Sequence, residues 1–81
     1  MWLCVDRIEA SIVILVSDEE KTYRLPAADY TRLTGKPPAE SDILRADVSG
    51  DRIISAVFDE AETAARKAAA RARLNRLFGN K

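Results

Sequence analysis

The stretch Trp2-Leu3-Cys4-Val5-Asp6-Arg7-Ile8-Glu9-Ala10-Ser11-Ile12-Val13-Ile14-Leu15-Val16 decides the fold class. Its second part, Ile12–Val16, is an unbroken apolar run of strand length in which only Leu15 is not β-branched. A run of that kind has no polar face to leave in water, so it predicts a strand buried on both faces. The first part predicts a strand over residues 2–9, with Trp2, Cys4, Asp6 and Ile8 on one face and Leu3, Val5, Arg7 and Glu9 on the other. Ala10-Ser11 leaves room only for a tight turn, so the two strands form a hairpin.

Working outward, Ser17-Asp18-Glu19-Glu20 is a polar turn and Lys21–Leu25 a third strand, with Tyr23 and Leu25 on one face. Pro26 ends that strand because it has no donor for a ladder. Residues 27–35 predict a short helical turn terminated by Gly35, and Lys36-Pro37-Pro38 an extended connector. A fourth strand follows at Ile43–Val48, a hairpin turn at Ser49-Gly50-Asp51, and a fifth strand from Arg52 to Phe58.

The remainder changes character. From Asp59 onward alanine and arginine replace the β-branched residues. Asp59 with Glu62 three residues on approximates a capping box. Asp59, Glu60 and Glu62 crowd the first turn while Arg71, Arg73 and Arg76 crowd the last, which suits the helix dipole at both ends. Glu62 and Arg66 form an i,i+4 pair in the favourable orientation, and Gly79 supplies the stop. These features predict a helix over residues 59–78, about 30 Å long at 1.5 Å per residue. Together the elements predict an α+β, mainly β fold: a small five-stranded, partly open antiparallel β-barrel, SH3-like or OB-like, with one long C-terminal helix packed on it. All 81 residues form one domain, with residues 1–58 as the barrel portion and 59–78 as the helix.

Composition narrows the chemistry. Of the 81 residues 47% are apolar, but 13 are alanine, so 25 larger apolar side chains must build the core. Basic and acidic residues number 13 each and cancel, which argues against a strongly basic nucleic-acid binder and against an acidic disordered tail. There is no histidine, and a single cysteine can form neither an internal disulfide nor a thiolate metal cage. No apolar run approaches the roughly 20 residues that cross a bilayer, and Asp6 and Arg7 interrupt the N-terminal run at once. A cytoplasmic protein with a reduced thiol, no membrane segment and no cofactor is the expectation.

Val5-Asp6-Arg7-Ile8-Glu9 at the start, and Asp59-Glu60-Ala61-Glu62-Thr63 leading through Arg66 to Leu77-Phe78, resemble a family of small bacterial proteins labelled domain of unknown function 3006. Similarity extends over nearly the whole chain, with Pro26 closing the third strand. Ala10 stands where the family has glycine, Ser41-Asp42 where it has a Gly-Asp turn, and Arg32–Pro38 where it has a Leu-Pro-Glu-Gly segment. The resemblance implies the fold outline and carries no catalytic residues.

Individual residues read mostly as structural. Asp6 shares a strand face with Cys4 and Ile8, which suggests an edge position where it reaches solvent or pairs with a nearby arginine. Cys4 reads as a small core residue, since no histidine is present to lower a thiol pKa. The carboxylates Glu9, Asp18, Glu19, Glu20, Glu40 and Asp42 could in principle pair for acid–base chemistry or bind a hard cation. Asp18-Glu19-Glu20, however, lacks the alternating ligands and glycine of a calcium loop and reads as a solvated hairpin turn. No phosphate loop, nucleophile elbow or metal spacing is present, so the expectation is a non-enzyme without metal.

The helix holds the functional signal. At about 100° per residue from Arg66, the residues Leu77, Ala70, Thr63, Leu74 and Phe78 fall between about 20° and 120°. An uncharged small-residue arc lies opposite, and within it Ala61, Ala65, Ala68 and Ala72 step 4-3-4, the spacing of an a/d seam. The favoured reading is a non-catalytic interaction module, an accessory or regulatory protein. One helix face packs on the barrel, and the other meets a protein partner or a second copy through Ala61, Ala65, Ala68, Ala72, Leu74, Leu77 and Phe78. Trp2 and Tyr30 are candidates for further exposed contacts. The alternative is nucleic-acid binding through Arg66, Lys67, Arg71, Arg73 and Arg76. Charge is unevenly placed: residues 1–58 carry 7 basic and 10 acidic side chains, and residues 59–81 carry 6 basic and 3 acidic.

Overall fold

A computed structural model describes the backbone of residues 1–77 and the side chains of residues 1–74. Its elements are β1 (Trp2–Glu9), β2 (Ile12–Ser17), β3 (Thr22–Pro26), α1 (Ala27–Thr34), β4 (Ile43–Ser49), β5 (Arg52–Phe58) and α2 (Glu60–Leu77). The five strands form one antiparallel sheet in the order β3-β2-β1-β4-β5, curled into a half-barrel. Gly79 and Phe78, read from sequence as the end of the helix, lie outside the described residues.

Two extra residues bend this sheet. Val5 opposes Leu15 and Arg7 opposes Ile14, which leaves Asp6 unopposed. On the other side Asp47 opposes Ser55 and Val48 opposes Ile53, which leaves Ile54 unopposed. A bulge inserts one residue into one strand and increases the local twist, so a bulge in β1 and another in β5 favour curling over a flat sheet. The bulge at Asp6 also corrects the alternation expected from sequence. Leu3 and Val5 point into the core, but Arg7 is turned to the outer side beside Ile14, and Ile8 moves to the side of Val13. Strict period-two counting assigns Arg7 to the core face, because it cannot see the inserted residue. Asp6 itself reaches solvent and pairs with Arg7 at 2.7 Å, as an edge carboxylate should.

Ile12–Val16 is buried on both faces at its centre, as its composition requires: Val13 and Leu15 face the concave core and Ile14 the convex side. Ile14 is only 4% exposed, and its cross-strand neighbours are Arg7 and Arg24, residues whose long aliphatic stems are suited to cover such a position. The open side of the half-barrel lies between the edge strands β3 and β5. There α1 packs across, inserting Tyr30 into the core with Ala27 and Leu33 alongside. Tyr30 is fully buried, so it is not the exposed contact that sequence reading allowed. Its place on α1, across the gap, makes it the plug of the barrel. Gly35, at φ 79°, ends α1 by donating its N–H to the Thr31 carbonyl at 2.8 Å. At the far end Lys21 spans the two hairpins, with its ammonium 3.2 Å from Asp51 and 3.3 Å from the Gly50 carbonyl.

The β1–β2 turn places both Ala10 (φ 49°) and Ser11 (φ 69°) in the left-handed region, the geometry of a type I′ hairpin. Neither residue is suited to it. Replacing Ala10 by glycine removes a steric penalty of about 1 kcal/mol and should raise the melting temperature by about 4–8 °C. Calorimetry of Ala10→Gly checks this, and a lower melting temperature would contradict the turn geometry.

Candidate functional site

The helix α2 starts where β5 ends, and its first two turns are built as an anchor. Asp59 caps it, with Oδ1 accepting the Glu62 N–H at 2.8 Å. The reciprocal half of a capping box does not form. The Asp59 N–H donates instead to the Ile43 carbonyl at 2.9 Å, and the Glu62 carboxylate turns to the Arg66 Nε at 2.7 Å. Thr63 completes the clamp: its hydroxyl donates to the Asp59 carbonyl at 2.7 Å and accepts the Ile43 N–H at 2.9 Å. Both backbone groups of Ile43 are therefore satisfied by the start of α2, and Thr63 is 5% exposed as a result.

Arg66 carries the last direct hold. Besides Glu62 it reaches Asp18 at 3.3 Å in the β2–β3 turn, and its guanidinium lies 5.7 Å from the centre of the Trp2 ring. Hydrogen bonding to Glu62 raises its pKa further above an already high value, so the charge is permanent. Arg66, Lys67 and Ala70 overhang Cys4, Ser41 and Ile43 across a cleft of ≈ 160 Å³. Burial raises the Cys4 pKa, with Arg66 opposing the shift only in part, which keeps the thiol protonated at neutral pH. Cys4 sits half-buried under the helix, outside the main concave core.

Beyond Ala70 the helix leaves the barrel, and the described residues span 45 × 23 × 23 Å. This modifies the expectation of a helix docked along one whole face. The face carrying Thr63, Arg66 and Ala70 does look toward the barrel, but Leu74, further along it, is 52% exposed. An 18-residue helix is about 27 Å long at 1.5 Å per residue. The tethers at Thr63 and Arg66 lie in its first two turns, which leaves the rest of its described residues without a hold on the barrel. Ala61, Ala65, Ala68 and Ala72 are all exposed, as are Lys67, Arg71 and Arg73. The side chains of Arg76 and Leu77, and all of Phe78, lie outside the described residues. Among the described residues no cluster of His, Cys, Asp and Glu could hold a metal ion.

A second polar centre escaped sequence reading. Asp42, which the sequence offers only as one of six carboxylates with no buried role, is 4% exposed. Its Oδ2 accepts the Tyr30 hydroxyl at 2.8 Å, the Ala39 N–H at 3.2 Å and the Lys36 ammonium, which also lies 4.7 Å from the Phe58 ring centre. A buried carboxylate is stable only when so supplied with donors. Its backbone continues the sheet, with the Val5 N–H donating to the Asp42 carbonyl at 2.9 Å. This cluster is a structural lock, with three donors converging on one carboxylate oxygen. The sequence signal that marked it was Lys36 six residues before Asp42 on the edge of the buried run Ile43-Leu44, which is legible only once Tyr30 is known to point inward.

Together these features define a curled half-barrel that holds α2 by its first two turns and projects the rest. The chain matches no family model, no curated protein and no solved structure. No helix among the described residues is long and apolar enough to cross a membrane.

Burial, then the bond to Asp42, pushes the Tyr30 phenol well above its ordinary pKa of 10.0. Above about pH 10 the unfolded chain releases that proton while the folded chain keeps it, so stability should fall with rising pH, by up to about 1.4 kcal/mol per unit. Below that pH the group contributes no slope. Tyr30→Phe should lose this slope and cost about 1–3 kcal/mol at neutral pH. Urea denaturation of both proteins between about pH 9 and pH 11 tests this, and parallel curves would contradict it.

Proposed function

We propose that this chain is a non-catalytic interaction module, an accessory or regulatory protein that associates through α2. The observation that carries the reading is that α2 is held firmly by residues 59–66 and then extends past the barrel with Ala68, Ala72 and Leu74 exposed. A chain of this size gains little from ordering a projecting helix unless its surface is buried elsewhere, since isolated short helices are marginal in water. Alanines allow close approach of a second helix, and Leu74 supplies larger apolar area at the end. The half-barrel is read as a member of the SH3-like or OB-like group of small barrels, related to the bacterial family that the Asp6-Arg7-Ile8-Glu9 strand resembles, and working in the cytoplasm.

The aromatic side chains support a protein partner over a nucleic acid. Tyr23 and Tyr30 are buried, Trp2 lies against Arg66, and Phe58 lies against Lys36. Single-stranded nucleic acids are held by exposed aromatic faces as well as cations, and among the described residues those faces are occupied. A gel shift with single-stranded oligonucleotides at low salt should therefore show no complex. A complex that weakens steeply with salt would favour the alternative built on Arg66, Lys67, Arg71 and Arg73.

Association is tested by native mass spectrometry of the full chain, alone and after purification from cell extract. The expected result is a mass above the 9.0 kDa of one chain, from self-association or a bound partner. Ala68→Glu should weaken the complex about tenfold or more by burying an unpaired charge, with helix content unchanged. A wild-type mass of 9.0 kDa under all conditions, or a complex indifferent to Ala68→Glu, would remove this reading.

A further inference from the structure

We infer that the partner of α2 is a second copy of this chain, with the basic half of each helix seated on the acidic β2–β3 turn of the other copy. This rests on the reading of α2 as an interaction helix and goes further, naming the partner and the complementary surface. The starting point is a separation of charge. Residues 1–58 carry 7 basic and 10 acidic side chains, and residues 59–81 carry 6 basic and 3 acidic. One chain cannot join the two regions fully, because among the described residues α2 makes its last ion pair to the barrel at Arg66 and leaves the barrel beyond Ala70.

The chain already contains one instance of the contact. Arg66, the cation of α2 that reaches the barrel, goes to the β2–β3 turn, to Asp18 at 3.3 Å with Trp2 beneath it. That turn is pre-shaped. The Ser17 hydroxyl accepts the N–H groups of Glu19 and Lys21 at 3.2 and 3.1 Å, and the Glu20 N–H donates to the Ser17 carbonyl at 2.8 Å. This holds Glu19 and Glu20 outward, and among the described residues neither makes an ion pair. The cations left over are Lys67, Arg71 and Arg73, exposed and likewise without a carboxylate within ion-pair distance among the described residues. Beside the turn, Met1, Trp2, Ser17, Asp18 and Glu19 line an open cleft of ≈ 220 Å³, in which an apolar stem can lie under its charged head.

Charge also sets the direction. Two α2 helices side by side and parallel would bring their arginines together and set like ends of their dipoles side by side, both unfavourable. Antiparallel, the basic half of each helix lies beside the acidic first turn, Glu60 and Glu62, of the other. The Asp18–Glu20 turn adjoins the same region through Arg66. Each copy then gives its cations and receives the other's, as a two-fold interface demands.

The test uses sedimentation equilibrium of the full chain and two charge-reversed variants, Glu19→Lys with Glu20→Lys, and Arg71→Glu with Arg73→Glu. Both sets lie outside the α2 anchor, and circular dichroism verifies that each variant keeps its fold. The wild-type dimer should weaken about tenfold or more between about 50 mM and 500 mM salt. Either variant alone should be monomeric at concentrations where the wild type is dimeric. An equimolar mixture should form a dimer of one of each more tightly than either variant pairs with itself, because the reversed helix then meets the reversed turn. That dimer should be weaker than the wild type's, because the reversed helix still faces Glu60 and Glu62. A wild type that is monomeric at every salt concentration overturns the inference while leaving association with a different protein intact. A dimer that ignores both charge reversals overturns it too, and leaves an apolar α2 contact. Neither self-association nor any partner would remove the underlying reading as well.

Discussion

One carboxylate oxygen, Asp42 Oδ2, receives a phenol, an ammonium and a backbone amide from three separate parts of the chain. Desolvating a carboxylate is costly, and the cost is offset only while all three donors stay in place. That requirement positions α1 through Tyr30, the connector through Lys36 and the loop through Ala39. Because Tyr30 plugs the gap between β3 and β5, the same bond holds the open side of the half-barrel shut. Losing the carboxylate would release a helix, a loop and a sheet edge together, and hence more than one hydrogen bond.

The next residue along ties in the other helix. Ile43 donates its N–H to Thr63 and its carbonyl accepts the Asp59 N–H, so Asp42, just before β4, and Ile43, its first residue, anchor α1 and α2 in turn. This explains how a chain with a modest core can aim a long helix. The aim comes from two backbone groups of a buried strand, reinforced by Arg66 on Asp18 and Trp2, and needs little apolar burial along α2 itself. It also explains why the helix surface is mostly exposed: every strong tether lies in its first two turns.

Much of the fold was legible in the sequence, because strands and helices of this length obey simple periods. The β-branched run Ile12–Val16, the turn at Ser49-Gly50-Asp51, the stop at Gly35 and the acidic start of α2 each carry a local physical reason, and each stands where that reason puts it. Arg7 shows the limit. Its face depends on the extra residue at Asp6, and a bulge is decided by how β1 meets β2, with no mark in the local pattern. Asp42 shows it again, since a polar residue beside an apolar run gives no sign of burial until its distant partners are known.

The sequence by itself determined the order and kind of the elements, the absence of histidine chemistry, and the division into an acidic portion and a basic helix. These follow from composition and from interactions between residues three or four apart. Only the tertiary structure decided that Tyr30 faces inward, that Asp42 is the lock, and that α2 is gripped by Ile43 and then released beyond the barrel. Those outcomes depend on contacts between residues 12 to 48 positions apart. Such contacts are chosen by which groups would otherwise be buried without a partner.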